Sequence, residues 1–279
     1  MHRRWPLSLG ALAAFLAIAQ TSASPPATET LIFERATGAQ RALAAARIVE
    51  ALEGSGVEPE LQPYRIPNEF WVQDLFLPPV SGTNIVGELK ASSATTRTIV
   101  VGAHYDTKQG SPGADDNASG TLAVIALAKR LAAFPERSAN IIFVLFDQEE
   151  QGSMGSNVFA AQWQRSGRAL HSMHNIDMIG YDANGDGLLD LDVPDGDVAD
   201  AYTAAAAELN IPINRATFDS SDHISFRARG FTAAFLTENL SGGDFNPTYH
   251  SPDDTRINQA YMDSAIDLMT ATLERLVAP

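Results

Sequence analysis

No cysteine occurs in the 279 residues. Thiolate nucleophiles, disulfide staples and cysteine-ligated metal sites are therefore excluded, so stability must come from a core, from bound metal, or from both. Basic residues are scarce beside acids: 19 Lys and Arg face 34 Asp and Glu, a net charge of −15. That balance argues against nucleic acid and anionic membrane surfaces as partners, and part of the acid can neutralise bound cations. Long apolar runs are missing after the first two dozen residues, so nothing later in the chain reads as a membrane span. Internal repeats are missing too, and the one biased stretch, Thr21 to Thr30, rich in Ser, Pro and Thr, reads as a flexible N-terminus.

The first residues carry an address. His2-Arg3-Arg4 is cationic, Leu7 to Ala19 is apolar, and Thr21-Ser-Ala23 offers small residues for cleavage. Residues 1–23 are expected to be a secretory signal peptide, cut after Ala23 or nearby, and the protein to be secreted or periplasmic with no membrane contact after cleavage. Cleavage leaves 17 basic against 34 acidic residues, net −17. Residues 24–279, with 45% apolar content over the whole chain, suffice for one α/β domain.

Ala44, Ala45, Ile48, Val49 and Leu52 are spaced as one face of a helix from Gln40 to Leu52, closed by Gly54 and Gly56. Residues 58–79 mix prolines with Tyr64, Phe70, Trp71 and Phe76, which suggests strand pieces and an irregular loop whose aromatics cap the core; Asn84 to Lys90 reads as an edge strand. Thr98 to Ala103 and Asn140 to Phe146 are near-continuous apolar runs joined through a helical run from Ser119 to Ala133, the mark of a parallel βαβ unit. Helices over 154–164, 198–209 and 259–277 and strands over 170–178 and 231–236 continue it. The expected fold is α/β, a mixed, largely parallel central sheet flanked by helices.

In such sheets ligands bind beyond the carboxyl ends of the strands. Three expected strand ends carry metal-type ligands: His104-Tyr-Asp106, Asp147-Gln-Glu149-Glu150 and Asp177. Asp115 and Asp116 stand on the loop before the first helix, where acids also gain about 0.3 to 1 kcal/mol each from the helix dipole. His250 lies in a Pro- and Asp-containing turn. So many carboxylates on one edge require raised pKa values or bound cations, and His with carboxylate donors suits zinc. One bridging carboxylate would allow two metals about 3.5 to 4 Å apart. His171 and His174 fall on a strand and read as structural. Ser221, Asp222 and His223 are consecutive and cannot form a relay, so this segment is expected to shape a pocket.

His104-Tyr-Asp106, Gly113-Ala-Asp-Asp-Asn-Ala-Ser-Gly120, Glu149-Glu150 followed by Gly152 and Gly155-Ser156, Asn175-Ile-Asp177-Met, Ser221-Asp-His223 and Tyr249-His250-Ser with Asp254-Thr255 together resemble the family-28 metallopeptidases. The resemblance runs in family order from about residue 84 to 277. It implies the zinc-dependent exopeptidase fold, a metallopeptidase catalytic domain over 24–279, two zinc ions, and hydrolysis of the N-terminal peptide bond of peptides with a free N-terminus. By the same resemblance Asp115 would bridge the metals, His104 and Asp177 would complete one, and Glu150 and His250 the other. Glu149 would serve as general base and Asp106 would orient His104. Asp116 would fix the backbone at Asp115 through a cis peptide bond. Alternatives are a glutaminyl cyclase, another exopeptidase or amidase of the family, and a non-catalytic binding relative; intact Glu149 and five ligands argue against the last.

Two features depart from the pattern. Some relatives place an oxyanion-assisting Tyr where this chain has Phe218, which leaves the oxyanion to zinc or to a Tyr elsewhere. Asp182-Ala-Asn184-Gly-Asp186-Gly-Leu-Leu-Asp190 matches the first nine positions of a calcium loop, but position twelve is Val193 rather than Glu. Calcium in this loop and an ordinary acidic turn are both open readings.

Overall fold

The computed structural model describes residues 29–67 and 79–279. The expected signal peptide and the aromatics Phe70, Trp71 and Phe76 lie outside the described residues. Helix α1 (Gly38–Glu53) opens with a capping box in which Thr37 and Gln40 satisfy each other's backbone, and it buries Ala44, Ala45, Ile48 and Leu52.

An eight-stranded mixed sheet follows. Strand β3 (Thr98–His104) is central and buried along its whole length, with β4 (Asn140–Phe146) parallel on one side and β5 (Ser172–Ile176) parallel on the other. Beyond β4 come β2 (Val80–Leu89) and then β1 (Pro59–Ile66), both antiparallel. The segment expected as an edge strand is thus interior, because β1 pairs with its outer side from Pro59↔Gly87 to Ile66↔Val80. Beyond β5 lies β8 (Ala233–Glu238), parallel, then β6 (Leu189–Asp192), antiparallel, then β7 (Ile213–Arg215). Neither β6 nor β7 is among the strands that the sequence pattern predicts. The Leu-Asp-Leu-Asp of β6 reads as loop until its aspartates find partners: Asn214 and Ser241 for Asp190, and Arg227 for Asp192.

Alternate residues of the central strands feed two separate cores. Ile99, Val101 and Ala103 of β3 and Ile141, Phe143 and Leu145 of β4 pack with α1, α2 (Gly120–Ala132), α4 (Asp197–Leu209) and α6 (Gln259–Val277). Val100, Ile142, Val144 and Phe146 pack on the other face against Phe159 and Trp163 of α3 (Met154–Ser166) and Phe226 of α5 (His223–Arg227). Covered on both faces, the sheet leaves the carboxyl ends of β3, β4, β5 and β8 as its open edge.

Candidate active site

His104 ends β3, Glu149 and Glu150 occupy a single 3-10 turn after β4, and Asp177 follows β5. His250 sits at a positive φ of 57° in the turn before α6. The loop Ala114–Ser119 carries the sixth contributor, with a cis peptide between Asp116 and Asn117. Two groups of ligand-type atoms result, each within 4.8 Å: His104, Asp116 and Asp177 form one, and Asp116, Glu150 and His250 the other. Asp116 belongs to both. Its Oδ1 lies 3.1 Å from His104 Nε2 and its Oδ2 3.0 Å from His250 Nε2. Glu150 Oε2 is also 3.0 Å from His250 Nε2, and Asp177 Oδ1 is 3.3 Å from His104 Nε2.

The carboxylate shared by the two groups is therefore Asp116, not Asp115. Asp115 is buried and turned away from both: its Oδ1 accepts from Gly180 N at 2.7 Å and its Oδ2 from Asn246 Nδ2 at 2.9 Å. The roles expected for the two neighbours are exchanged, because the chain at Asp116 (φ −104°, ψ 90°) and Asn117 leaves the helical path and swings the second aspartate into the cleft. Three further side chains hold this loop. Asp254 accepts from Asp115 N at 3.0 Å and Asp116 N at 3.2 Å; Asn117 Oδ1 accepts from Gly120 N and its Nδ2 donates to Ile176 O; Ser119 Oγ donates to Asp115 O. Gly113 is required at the entry, where φ is +58° and a Cβ would fall 2.2 Å from Asp116 O. Gly120 is required at the exit, where a Cβ would lie 2.5 Å from Ile176 O.

Asp106 does more than face His104. Its Oδ1 lies 3.4 Å from His104 Nδ1, whose ring also meets the Asp106 carbonyl at 3.2 Å. The same carboxylate accepts Glu149 N at 3.0 Å and Glu150 N at 3.2 Å, so it ties the β3 end to the turn after β4. Ser221 turns to Asp177 rather than into a pocket, donating to its Oδ2 at 2.6 Å while accepting from Asn175 Nδ2. Asp222 is buried, neither of its oxygens has a hydrogen-bond partner among the described residues, and burial holds it well above the usual carboxylate range. His223 stacks on Phe235 with centroids 4.7 Å apart. His174 is buried between Ser172 Oγ and Tyr202 OH, a structural role.

Electrostatics points to a cation site. Burial pushes Glu150 up to about 9, with the Asp116 charge adding to it, and Glu149 up to about 7 against the opposing pull of His104. Burial also works to raise Asp116, but hydrogen bonds from His104 and His250 prevail and hold it below the usual range. Burial opposes protonation of His104, yet Asp177, Asp106 and Asp116 together raise it. Glu150 Oε1 is buried without a hydrogen-bond partner among the described residues, and His250 Nε2 faces the Asp116 and Glu150 carboxylate oxygens, each at 3.0 Å. Converging lone pairs of this kind fit a divalent ion, which would replace the missing protons. The donor set, imidazole nitrogen and carboxylate oxygen, fits zinc.

At the acidic loop, Asp182 and Asp186 share a third such grouping with Asp244 from the stretch before α6. Asp190, the ninth position of the calcium-like motif, is excluded: it is buried in β6 and bound to Asn214 and Ser241. Tyr249, 37% exposed, stacks on His250 with centroids 3.6 Å apart, and Phe245, 46% exposed, meets Tyr249 edge-on at 5.0 Å.

Comparison with known proteins agrees with the fold. A probable leucine aminopeptidase of Arthroderma benhamiae is 32% identical over 175 residues, 57% of this chain and 48% of the relative. Aminopeptidase YwaD of Bacillus subtilis is 30% identical over 203 residues, 70% of this chain and 44% of the relative. The chain thus spans about half the length of the curated relatives it matches. A zinc aminopeptidase structure from Bacillus subtilis superposes with a TM-score of 0.80 at 18% identity, covering 91% of this chain and 94% of that one. A glutaminyl cyclase from Porphyromonas gingivalis superposes with a TM-score of 0.69 at 18% identity, covering 90% and 99%, so the fold spans both chemistries. The model of Peptidase family M28 matches residues 84–275, a stretch holding every side chain of the two ligand groups, and the chain belongs to that family.

Proposed function

We propose that the protein is a two-zinc aminopeptidase that removes N-terminal residues from peptides. The observation that carries the reading is the sharing of Asp116 between His104 with Asp177 on one side and Glu150 with His250 on the other, while Glu149 beside them belongs to neither group. Zinc bound there would supply Lewis-acid polarisation of the scissile carbonyl and acidify a water molecule. Glu149 accepts the proton of the attacking water and passes it to the departing amine. Its turn is held for that task by Asp106, and Ser153 Oγ donates to Glu149 Oε1 at 3.2 Å. The pattern in residues 1–23 supports an exported enzyme.

The decisive measurement pairs metal analysis with two assays, aminoacyl-anilide hydrolysis and cyclisation of an N-terminal glutamine. Two zinc ions per chain, anilide cleavage, and loss of both on chelation are expected. Cyclisation without cleavage would replace the reading with the glutaminyl cyclase one.

Tyr249 takes the oxyanion role in this reading. Its ring stacks on His250 with centroids 3.6 Å apart, which places it beside that ligand group, and burial together with the Asp116, Asp177, Glu150 and Glu149 charges raises its phenol above the ordinary range. Phe218 instead packs edge-on against Phe235 at 5.4 Å. Tyr249→Phe is expected to lower kcat by about 10²- to 10³-fold, the cost of one oxyanion donor, with KM little changed. An unaltered kcat would remove Tyr249 from the mechanism.

Calcium is proposed at Asp182, Asp186 and Asp244. A higher Tm in millimolar calcium for the wild type, lost in Asp186→Asn, is the expected result; equal Tm values with and without calcium would leave the loop an acidic turn.

A further inference from the structure

Two arginines outside the region matched by the family reach the active site from the N-terminal segment. Arg35, 1% exposed, forms no ion pair among the described residues, yet every nitrogen of its guanidinium is engaged. Nε donates to Tyr105 O at 2.6 Å, between His104 and Asp106. Nη1 donates to Pro112 O at 2.9 Å, to Phe33 O at 2.9 Å and to Leu31 O, and Nη2 to Gly113 O at 2.9 Å. The backbone N–H of Arg35 adds a bond to Thr107 Oγ1 at 2.8 Å. One planar cation thus joins the loop that follows β3 to the loop that leads into Asp116. A charge among acids would ordinarily seek a carboxylate; this one is spent on main-chain carbonyls, which set distance rather than neutralise charge.

Arg41, in the first turn of α1 and 8% exposed, serves the other half of the site. Its Nε lies 2.8 Å from Asp147 Oδ1, and Nη1 returns to Ala36 O, next to Arg35. Asp147 is gripped on every side: Oδ2 accepts Thr83 N at 2.9 Å, its N–H donates to Asn84 Oδ1, and its carbonyl accepts Gly155 N at 2.9 Å. The Tyr64 hydroxyl lies 3.0 Å from that carbonyl and 2.9 Å from Gln148 Oε1. Gln148 stands in the left-handed region at φ 61°, and Glu149 and Glu150 follow it. Asp106 grips their turn from within, and Asp147 grips its start.

We propose that residues 29–53 are the positioning element of the active site, Arg35 setting the spacing of the His104 and Asp116 loops and Arg41 setting the Glu149–Glu150 turn. The proposal rests on the two-metal reading above, but its first readout needs no substrate. Neither arginine is a catalytic residue; each acts through backbone that carries ligands or base.

Zinc affinity by competition with a chelator, kcat and KM, and Tm are to be compared in the full chain for Arg35→Lys, Arg35→Met and Arg41→Met. Loss of position weakens zinc binding in both Arg35 variants by about tenfold or more, the scale of changes to groups behind metal ligands. Loss of charge alone would act in the opposite sense, since removing a cation beside a cation site tightens binding. Tighter zinc binding in Arg35→Met, or a lower Tm with unchanged zinc affinity and kcat, would overturn the proposal for Arg35.

Arg41→Met is expected to lower kcat about tenfold or more with KM unchanged, and to weaken zinc binding less than the Arg35 variants, since the turn it sets carries one ligand, Glu150. A cavity of about 620 Å³, lined by Ala42, Ala45, Val49, Leu61 and Tyr64, opens beside this ion pair. In Arg41→Ala, millimolar guanidinium can enter it and is expected to restore kcat, which a purely structural loss would not allow. Full kcat in Arg41→Met overturns the proposal for the turn, and it decides alone if the Arg35 variants do not fold. A wild-type chain that cleaves no anilide would overturn the peptidase reading and leave the zinc comparison standing.

Discussion

Replacing Glu149 with glutamine is expected to lower kcat by about 10²- to 10⁴-fold, the range that a positioned general acid–base group contributes. Glutamine keeps the shape and the hydrogen bond with Ser153 Oγ but cannot take a proton. Glu149 belongs to neither ligand group, and its N–H bond to Asp106 Oδ1 is main-chain and survives the change. Zinc content should therefore stay at two per chain and KM should hold. Burial holds the Glu149 carboxyl up to about 7, so an uncharged amide there removes a desolvation cost. The Tm of the metal-free variant is accordingly expected to equal or exceed that of the wild type. A variant that keeps two zincs and stays within tenfold of wild-type kcat would leave the chemistry without its base.

Asp116→Asn and Asp115→Asn, one residue apart, are expected to behave differently. Asp116 offers Oδ1 toward His104 and Oδ2 toward His250, so an amide spoils one of two positions whichever way it turns. Zinc stoichiometry should fall below two, and kcat/KM should drop at least about a hundredfold, the upper end of what even indirect changes around a metal cost. Asp115 accepts from Gly180 N and Asn246 Nδ2 instead, beside the buried Glu238, which burial and the Asp115 charge push up to about 11. An amide nitrogen at that place would oppose one donor, at a cost of about 1 to 3 kcal/mol. That corresponds to a fall of several degrees in Tm at roughly 2 to 4 °C per kcal/mol. Two zincs should remain. Metal loss in Asp115→Asn with retention in Asp116→Asn would reverse the assignment.

These two residues mark the limit of what could be read in advance. Apolar runs such as Asn140 to Phe146 announced buried parallel strands, and acids and histidines at their ends announced a metal edge, because strand period and strand-end chemistry are local properties. The short strands Leu189–Asp192 and Ile213–Arg215 escaped, since their polar residues look loop-like until Arg227, Ser241 and Asn214 arrive from elsewhere. Residues 84 to 90 read as an edge until β1 covered them.

Taken alone, the amino-acid order determined which residue types meet at the carboxyl edge and that they suit zinc rather than a thiolate metal site; a base next to a ligand at Glu149 and Glu150 was only what the family resemblance implied. Tertiary structure alone decided which of two adjacent aspartates is shared. Their backbone leaves regular geometry at Asp116 and Asn117, where no periodicity can say which side chain faces the cleft. It also decided what holds the ligands. Asp254 reaches Asp115 N across 139 positions of sequence, Arg35 reaches Tyr105 O across 70, and Ser221 reaches Asp177 across 44. Contacts of that range carry no local signal, because each depends on how separate elements pack and not on the residues beside it in the chain.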